Sequence, residues 1–342
     1  MRLAIHNGKD KPVSWNTRWI DYCEKNNIPF IGVDCYAYDI IETLRKEGVT
    51  HLMWAFSLAL PKDHIMAKSV LNAANKMGIK TFPNFDSNWH FEDKIAQKYL
   101  LEAIGAPVVK SWTFYDKQKA LDFAQNAYYP IVAKLRKGAG SNNVFLIHNL
   151  KECKNYVRIM FGRGKNPSQS LNTLVNDRIK AITEKKKTSF SLIDMMGKLK
   201  VHMNRRKLFP KEIGYVFFQE FLPNNTNDLR ISVVGDKIWG YYRGVRKHDF
   251  RASGSGIIDY DTLIPLDIVK HSYELSKRLS SQSIGFDYVK ASDGSYKIVE
   301  ICYGFVSEVI FKCKGYWDGN LVFHEGHLMP EECILLDFIN NK

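Results

Sequence analysis

Ile284-Gly285-Phe286-Asp287-Tyr288-Val289 and Tyr296-Lys297-Ile298-Val299-Glu300-Ile301 are two apolar runs of strand character, separated by a turn signal at Asp293-Gly294. Each run carries one carboxylate, Asp287 in the first and Glu300 in the second. A hairpin holds the two acids close together. Like charges a few Å apart in a half-buried site cost a few kcal/mol unless a cation or a proton intervenes. Hard oxygen donors with no histidine beside them suit Mg²⁺, which takes part of its shell from waters or a phosphate. The plain alternative is a pair of solvated strand carboxylates.

The chain around this hairpin has 342 residues, enough for a large core and two or three domains. Its apolar and charged fractions, 45% and 25%, are those of an ordinary globular protein. No apolar stretch approaches membrane-spanning length, and Met1-Arg2-Leu3-Ala4-Ile5-His6 passes directly into strand character, so no signal peptide is expected. Cys23, Cys35, Cys153, Cys302, Cys313 and Cys333 are dispersed without a CxxC pair, as expected of reduced thiols in a cytoplasmic protein. The formal charge is +13, and residues 160–212 carry most of it, with thirteen Lys/Arg against four Asp/Glu. That distribution points to an anionic partner for one segment.

Residues 1–90 alternate short strands (3–5, 29–33, 51–54, 80–82) with helical patterns (15–26, 38–47, 62–77), which predicts a parallel α/β domain. No Gly-x-Gly-x-x-Gly follows the first strand, which disfavours a dinucleotide site. An amphipathic helix is expected over 91–104, strands over 108–114, 129–134 and 144–147, and helices over 117–126 and 150–161. The basic segment reads as helical near 170–183 and 189–201. Strands return at 215–221, 229–234, 238–244 and 256–259, and a helix over 265–279 precedes the hairpin. The division this implies is 1–90, 91–215 with a basic helical insertion at about 160–212, and 216–342.

Three further stretches carry chemistry. Pro130-Ile131-Val132-Ala133-Lys134 runs into Lys137-Gly138-Ala139-Gly140-Ser141-Asn142-Asn143, offering an ammonium and free backbone N–H groups to a phosphate; an ordinary hairpin turn is the alternative. Val216-Phe217-Phe218-Gln219-Glu220-Phe221-Leu222-Pro223 is an apolar strand breaking into a loop whose peptide groups can read an adenine edge, or a core strand with a plain exit. Arg230, Arg243 and Arg251 start or end strands, which suits guanidinium clamps on phosphate or carboxylate.

In this order, from about Phe91 to Phe305, these motifs resemble the ATP-grasp superfamily, and most closely its carboxylate–amine ligases such as glutathione synthetase and the ribosomal-protein glutamate ligases. The resemblance implies an α/β (α+β) architecture: an N-terminal parallel domain, then a two-lobed ATP-grasp fold. It implies ATP and Mg²⁺, with Lys94 and Lys134 as phosphate lysines, Ser141 in the phosphate turn, and Gln219, Glu220, Phe221 and Leu222 as the adenine hinge. Arg230 would lie near the γ-phosphate, Arg251 before a Gly-rich substrate-side loop, and Asp287 and Glu300 on the metal. The family commonly reads Glu-x-Asn where this chain has Glu300-Ile301-Cys302, and a neutral thiol is a poor Mg²⁺ ligand. Tyr303-Gly304-Phe305, Gly315-Tyr316-Trp317-Asp318 and His324-Glu325-Gly326-His327 resemble a subset associated with bacterial cell-surface polymers. The last motif lacks the i, i+4 histidine spacing of a zinc helix.

The chemistry so implied is phosphorylation of a carboxylate by MgATP and attack of an amine on the acylphosphate, yielding an amide, ADP and phosphate. The basic segment would cap an anionic acceptor, such as a uronic-acid sugar, an acidic peptide or an amino acid, or be a solvated helical pair. A different class stays open: a nucleic-acid or anionic-polymer binder, for which the lysines lack interleaved aromatics. A non-catalytic nucleotide-binding relative is the third option, and a homo-oligomer is left open.

Overall fold

The computed structural model describes residues 1–7, 14–57, 61–138, 143–167, 209–246 and 249–340. They fall into two compact units, one made of Met1–Val109 with Leu222–Lys342 and the other of Lys110–Phe221. The expected helices of the basic insertion, and Ser141, lie outside the described residues. No described helix is long and apolar enough to cross a membrane.

The first unit begins with a parallel sheet of β1 (Leu3–His6), β2 (Ile31–Val33), β3 (His51–Met53) and β4 (Lys80–Phe82), in the order β2-β1-β3-β4. Helices α1 (Trp15–Lys25), α2 (Ile40–Lys46) and α3 (Pro61–Lys76) connect them, as the alternating sequence pattern requires. β1 is buried at all four positions, the expected state of a central strand covered on both faces. The chain then passes through α4 (Phe85–Asn88) to α5 (Lys94–Ala103). Asp93 caps α5, its Oδ1 accepting from the backbone N–H of Ile95 and Ala96.

The second sheet of this unit is antiparallel. It comprises β9 (Asn227–Val234), β10 (Lys237–Gly244), β11 (Ile258–Asp259), β12 (Ser283–Lys290), β13 (Tyr296–Cys302), β14 (Gly315–Trp317) and β15 (Phe323–Glu325), running β13-β12-β9-β10-β14-β15 with β11 on β10. Period-2 alternation splits it into two faces. Leu229, Ile231, Tyr242, Phe286, Tyr288 and Ile301 form one buried cluster with Val269 and Leu275 of the covering helix (Leu266–Arg278). The opposite face bears Asp228, Arg230, Arg243, Asp287 and Glu300. At its far end it turns apolar, with Val234 and Trp239 in the same core as β1 and β3.

The C-terminal tail was not legible as structure in the sequence. A short helix (Ser307–Phe311), the β14–β15 hairpin and a last helix (Pro330–Ile339) follow β13. The last helix docks on α1, where Trp19 Nε1 donates to the Glu331 carbonyl at 2.7 Å.

The second unit is an antiparallel sheet ordered β5-β8-β6-β7, from β5 (Ser111–Phe114), β6 (Ile131–Lys134), β7 (Val144–Ile147) and β8 (Val216–Glu220). Helices α6 (Lys117–Asn126) and α7 (Leu150–Met160) complete it, with Phe123 stacked on Phe218. The strand expected over 108–114 starts only at Ser111, because Val109 N–H donates to the Ile298 carbonyl and leaves that sheet.

Candidate active site

The hairpin forms as its turn signal requires. Ala291 N–H donates to the Ser295 carbonyl across the turn, and Gly294 takes φ +83°. Asp287 and Glu300 are direct register partners, and Asp287 is also paired with Arg230 on β9. Directly opposed residues of an antiparallel pair point to the same face. Glu300, Asp287 and Arg230 therefore form one polar row across three strands. Beyond Glu300 the register slips, so that Tyr288 pairs with Ile298 and Val299 is extra. Such a bulge re-aims the neighbouring side chain and is common next to active sites.

Cations surround the row. Arg230 Nη1 donates to Asp287 Oδ1 and Nη2 to the Gly304 carbonyl at 3.2 Å. Arg243 Nη2 lies 2.9 Å from Asp287 Oδ2, while its Nε and Nη2 fork onto Asp228 at 2.7 Å each. Lys94 Nζ, at the start of α5, donates to Glu300 Oε1 at 2.9 Å. Burial alone would raise the Asp287 carboxyl, but the guanidinium groups of Arg230 and then Arg243 hold it down to about 2. Asp228 goes the other way, pushed up to about 6 by burial against the pull of Arg243. Lys94 is buried, which disfavours its charge, yet Glu300 and Glu92 raise its pKa. The arrangement is a preorganised, largely dehydrated set of charges, suited to stabilising negative charge that develops on a bound substrate.

Glu92 adjoins this set and has no sequence signature. It is a non-glycine residue with φ +53°, placed one residue before the cap of α5. Burial, reinforced by Glu300 and opposed by Lys94, pushes its carboxyl up to about 7. Asp228 and Arg243 are likewise absent from the resemblance. Their signal was present as period-2 neighbours of Arg230 on β9 and of Tyr241 on β10.

The donor set fits a magnesium ion bound with a nucleotide. Glu300 is 29% exposed in its side chain, and Lys94 contacts its Oε1. Both Asp287 oxygens meet guanidinium groups, but a carboxylate has about four lone-pair sites and can accept further. No group of three or more His, Cys, Asp or Glu side chains forms a metal cage among the described residues. Two carboxylates plus phosphate oxygens is the usual magnesium arrangement. Cys302 follows Glu300 by two on the same face, and burial pushes its thiol up to about 12, which keeps it neutral and unsuited to the metal.

Arg251 forks onto Asp249, with Nε at 2.9 Å and Nη2 at 2.8 Å from its oxygens. In the second unit Lys134 ends β6, buried, opposite Phe217 and Val144. Gln219 is buried and donates to Ser111 Oγ at 3.1 Å, and the Glu220 N–H donates to the Lys110 carbonyl at 2.9 Å. Phe221 and Leu222 are half-buried just past β8.

No family model matches the sequence. The chain is 24% identical over 179 residues to the L-arginine-specific L-amino acid ligase of Bacillus subtilis, a match that covers 48% of this chain and only 43% of that protein. In structure it resembles the biotin carboxylase domain of the 2-oxoglutarate carboxylase of Hydrogenobacter thermophilus, with a TM-score of 0.60, 12% identity, and 100% of this chain and 70% of the other covered. It also resembles the D-alanine–D-alanine ligase of Bacillus anthracis, with a TM-score of 0.56, 14% identity, and 100% and 96% covered. A RimK domain ATP-grasp protein of Sphaerobacter thermophilus gives a TM-score of 0.54 at 13% identity, with 99% of each chain covered. The chain has the ATP-grasp fold.

Proposed function

We propose that this chain is an ATP- and magnesium-dependent ligase that joins a carboxylate to an amine through an acylphosphate. The observation that carries the reading is the row Arg230–Asp287–Glu300 on three adjacent strands, closed by Lys94 from α5. The fold supports it. The related Hydrogenobacter thermophilus domain is described with MgADP and bicarbonate, and the Bacillus anthracis ligase with ATP.

Asp287 and Glu300 would hold the magnesium ion, which supplies charge neutralisation on the transferring phosphoryl group. A carboxylate is a poor electrophile because its leaving group is oxide; phosphorylation turns that oxygen into phosphate. The remaining task of the protein is alignment and charge balance. Lys94 and Arg230 place an ammonium and a guanidinium beside the two metal carboxylates, where phosphate oxygens arrive. Arg243 keeps Asp287 ionised at neutral pH, so that it stays a competent ligand. Lys134, Gln219, Glu220, Phe221 and Leu222 are proposed nucleotide contacts, and Arg251 a proposed contact to the carboxylate substrate. The proposed acceptor is anionic, on the charge of residues 160–212.

The test is release of ADP and phosphate from MgATP over a panel of paired carboxylates and amines. Release that needs both partners supports the ligase reading; release independent of any carboxylate contradicts it.

A further inference from the structure

We infer that Asn143 and Tyr215 are positioning residues that fasten the phosphate turn to the base of the basic segment. The inference rests on the nucleotide contacts of the ligase reading, in which Lys134 and the turn after it meet a phosphate.

The turn joins β6 to β7, and its feet are residues 134–138 on entry and 143–144 on exit. An ordinary hairpin closes with backbone bonds alone, such as the one from Leu135 N–H to the Asn143 carbonyl at 3.0 Å. Here side chains add ties that come from outside the hairpin. Asn143 is buried, and its Nδ2 donates to two carbonyls, that of Lys137 at 3.1 Å and that of Pro167 at 2.8 Å. Both of its donor hydrogens are used. A reversed carboxamide would set its oxygen against the same two carbonyls, which fixes the orientation. Gly138, at φ +139°, leaves room for this: a Cβ there would fall 2.5 Å from Nδ2.

On the entry side, Arg136 N–H donates to the Tyr215 hydroxyl at 2.7 Å, and that hydroxyl donates to Glu212 Oε2 at 2.8 Å. Arg136 Nε lies 3.6 Å from the same oxygen. Glu212 is buried, so its charge needs these partners.

Pro167 and Glu212 belong to one piece of structure. Lys165 and Glu212 exchange backbone hydrogen bonds at 2.9 and 2.8 Å, and Asn166 Nδ2 donates to the Phe209 carbonyl at 3.3 Å. This bridge closes the base from which the basic segment leaves and to which it returns. Each foot of the turn is held from one side of that base, Asn143 through Pro167 and Arg136 through Tyr215 and Glu212. Backbone N–H groups and an ammonium hold a phosphate best when they are already aimed, because no ordering cost then falls on binding.

The test is the Kd for MgATP, measured by calorimetry on variants that urea unfolding shows to be folded. Asn143→Ala removes both donors, and Tyr215→Phe removes only the bridging hydroxyl. Asp116→Ala is the control. It deletes the cap of α6 in the same unit, where Asp116 Oδ1 accepts from Lys119 N–H at 2.8 Å. The expected result is a Kd raised at least fivefold in Asn143→Ala and in Tyr215→Phe, with Asp116→Ala within twofold of native. The double variant should lose less than the product of the single losses, because both ties act on one turn. A Kd within twofold of native in either variant overturns the role of that residue. An equal loss in Asp116→Ala overturns the inference, since general loosening of the unit would then account for all three. If Asn143→Ala does not fold, Tyr215→Phe decides by the same measure. A native protein that binds no MgATP is a different result, and overturns the nucleotide reading itself along with the inference.

Discussion

Gly285 lies directly beneath the guanidinium of Arg230: a Cβ at this position would fall 2.4 Å from Nη2 and 2.5 Å from Cζ. The contact arises because Gly285 is two residues before Asp287 on the same face of β12, while Arg230 reaches back from β9 to Asp287 and the Gly304 carbonyl. Only a missing side chain lets the guanidinium lie flat across the strand.

Gly285→Ala is therefore expected to push Arg230 off Asp287. Overpacking of this kind costs about 1–3 kcal/mol. Denaturant unfolding should show that loss, and ADP release should fall at least tenfold. Native turnover in this variant would remove Arg230 from the chemistry.

Arg243 bridges two buried acids, Asp228 and Asp287. Arg243→Met leaves both short of a partner, and breaking a buried pair in this way costs about 3–5 kcal/mol. Asp228→Asn added to Arg243→Met should recover part of that loss, because one stranded charge is gone. Additive losses in the double-mutant cycle would show that the two residues do not interact.

The metal-free protein should lose stability as pH rises through the weakly acidic range. Glu92 has its folded value raised from 4.5 to about 7, chiefly by burial, so its contribution is fully present below 4.5 and is lost as pH passes 7. Asp228, raised from 3.8 to about 6, acts in the same direction at lower pH. Asp287 is the opposite case: lowered from 3.8 to about 2, it stabilises above 3.8 and loses that contribution as pH falls through 2. Relative to native, Glu92→Gln should gain about 1–2 kcal/mol between pH 5 and pH 8 in urea unfolding. Parallel pH profiles would contradict the burial of this carboxyl.

Asp93→Ala removes the side chain that caps α5 at Ile95 and Ala96. A lost cap costs about 1 kcal/mol. Because Lys94 is the first residue of that helix, the affinity for MgATP should weaken as well. Unchanged nucleotide binding would separate the cap from the site.

Much of this arrangement was legible in the sequence because it is local. The hairpin announced itself through two alternating runs and Asp293-Gly294, and its register brings Asp287 opposite Glu300. The parallel N-terminal sheet followed from strands and helices in alternation. What stayed hidden depends on long-range geometry. The pairing of Arg243 with Asp287 requires β9 to lie between β10 and β12, an order that spacing along the chain does not reveal. Glu92 lies in an irregular segment before α5, where no period marks a buried position. Arg251 reads from the sequence as a strand-flanking clamp, and the structure adds a partner that spacing did not mark, the fork onto its near neighbour Asp249. The tail strands Gly315–Trp317 and Phe323–Glu325 are three residues each, too short for alternation to be seen.

The most direct measurement is ADP formation from MgATP, with carboxylate and amine present, in the native chain and in Glu300→Ala at matched folding stability. The account predicts turnover that requires magnesium in the native chain, and a loss of at least a hundredfold in the variant while its unfolding curve stays close to native. Turnover in Glu300→Ala that equals native and responds to magnesium in the same way would contradict the assignment of Asp287 and Glu300 as the metal-bearing pair.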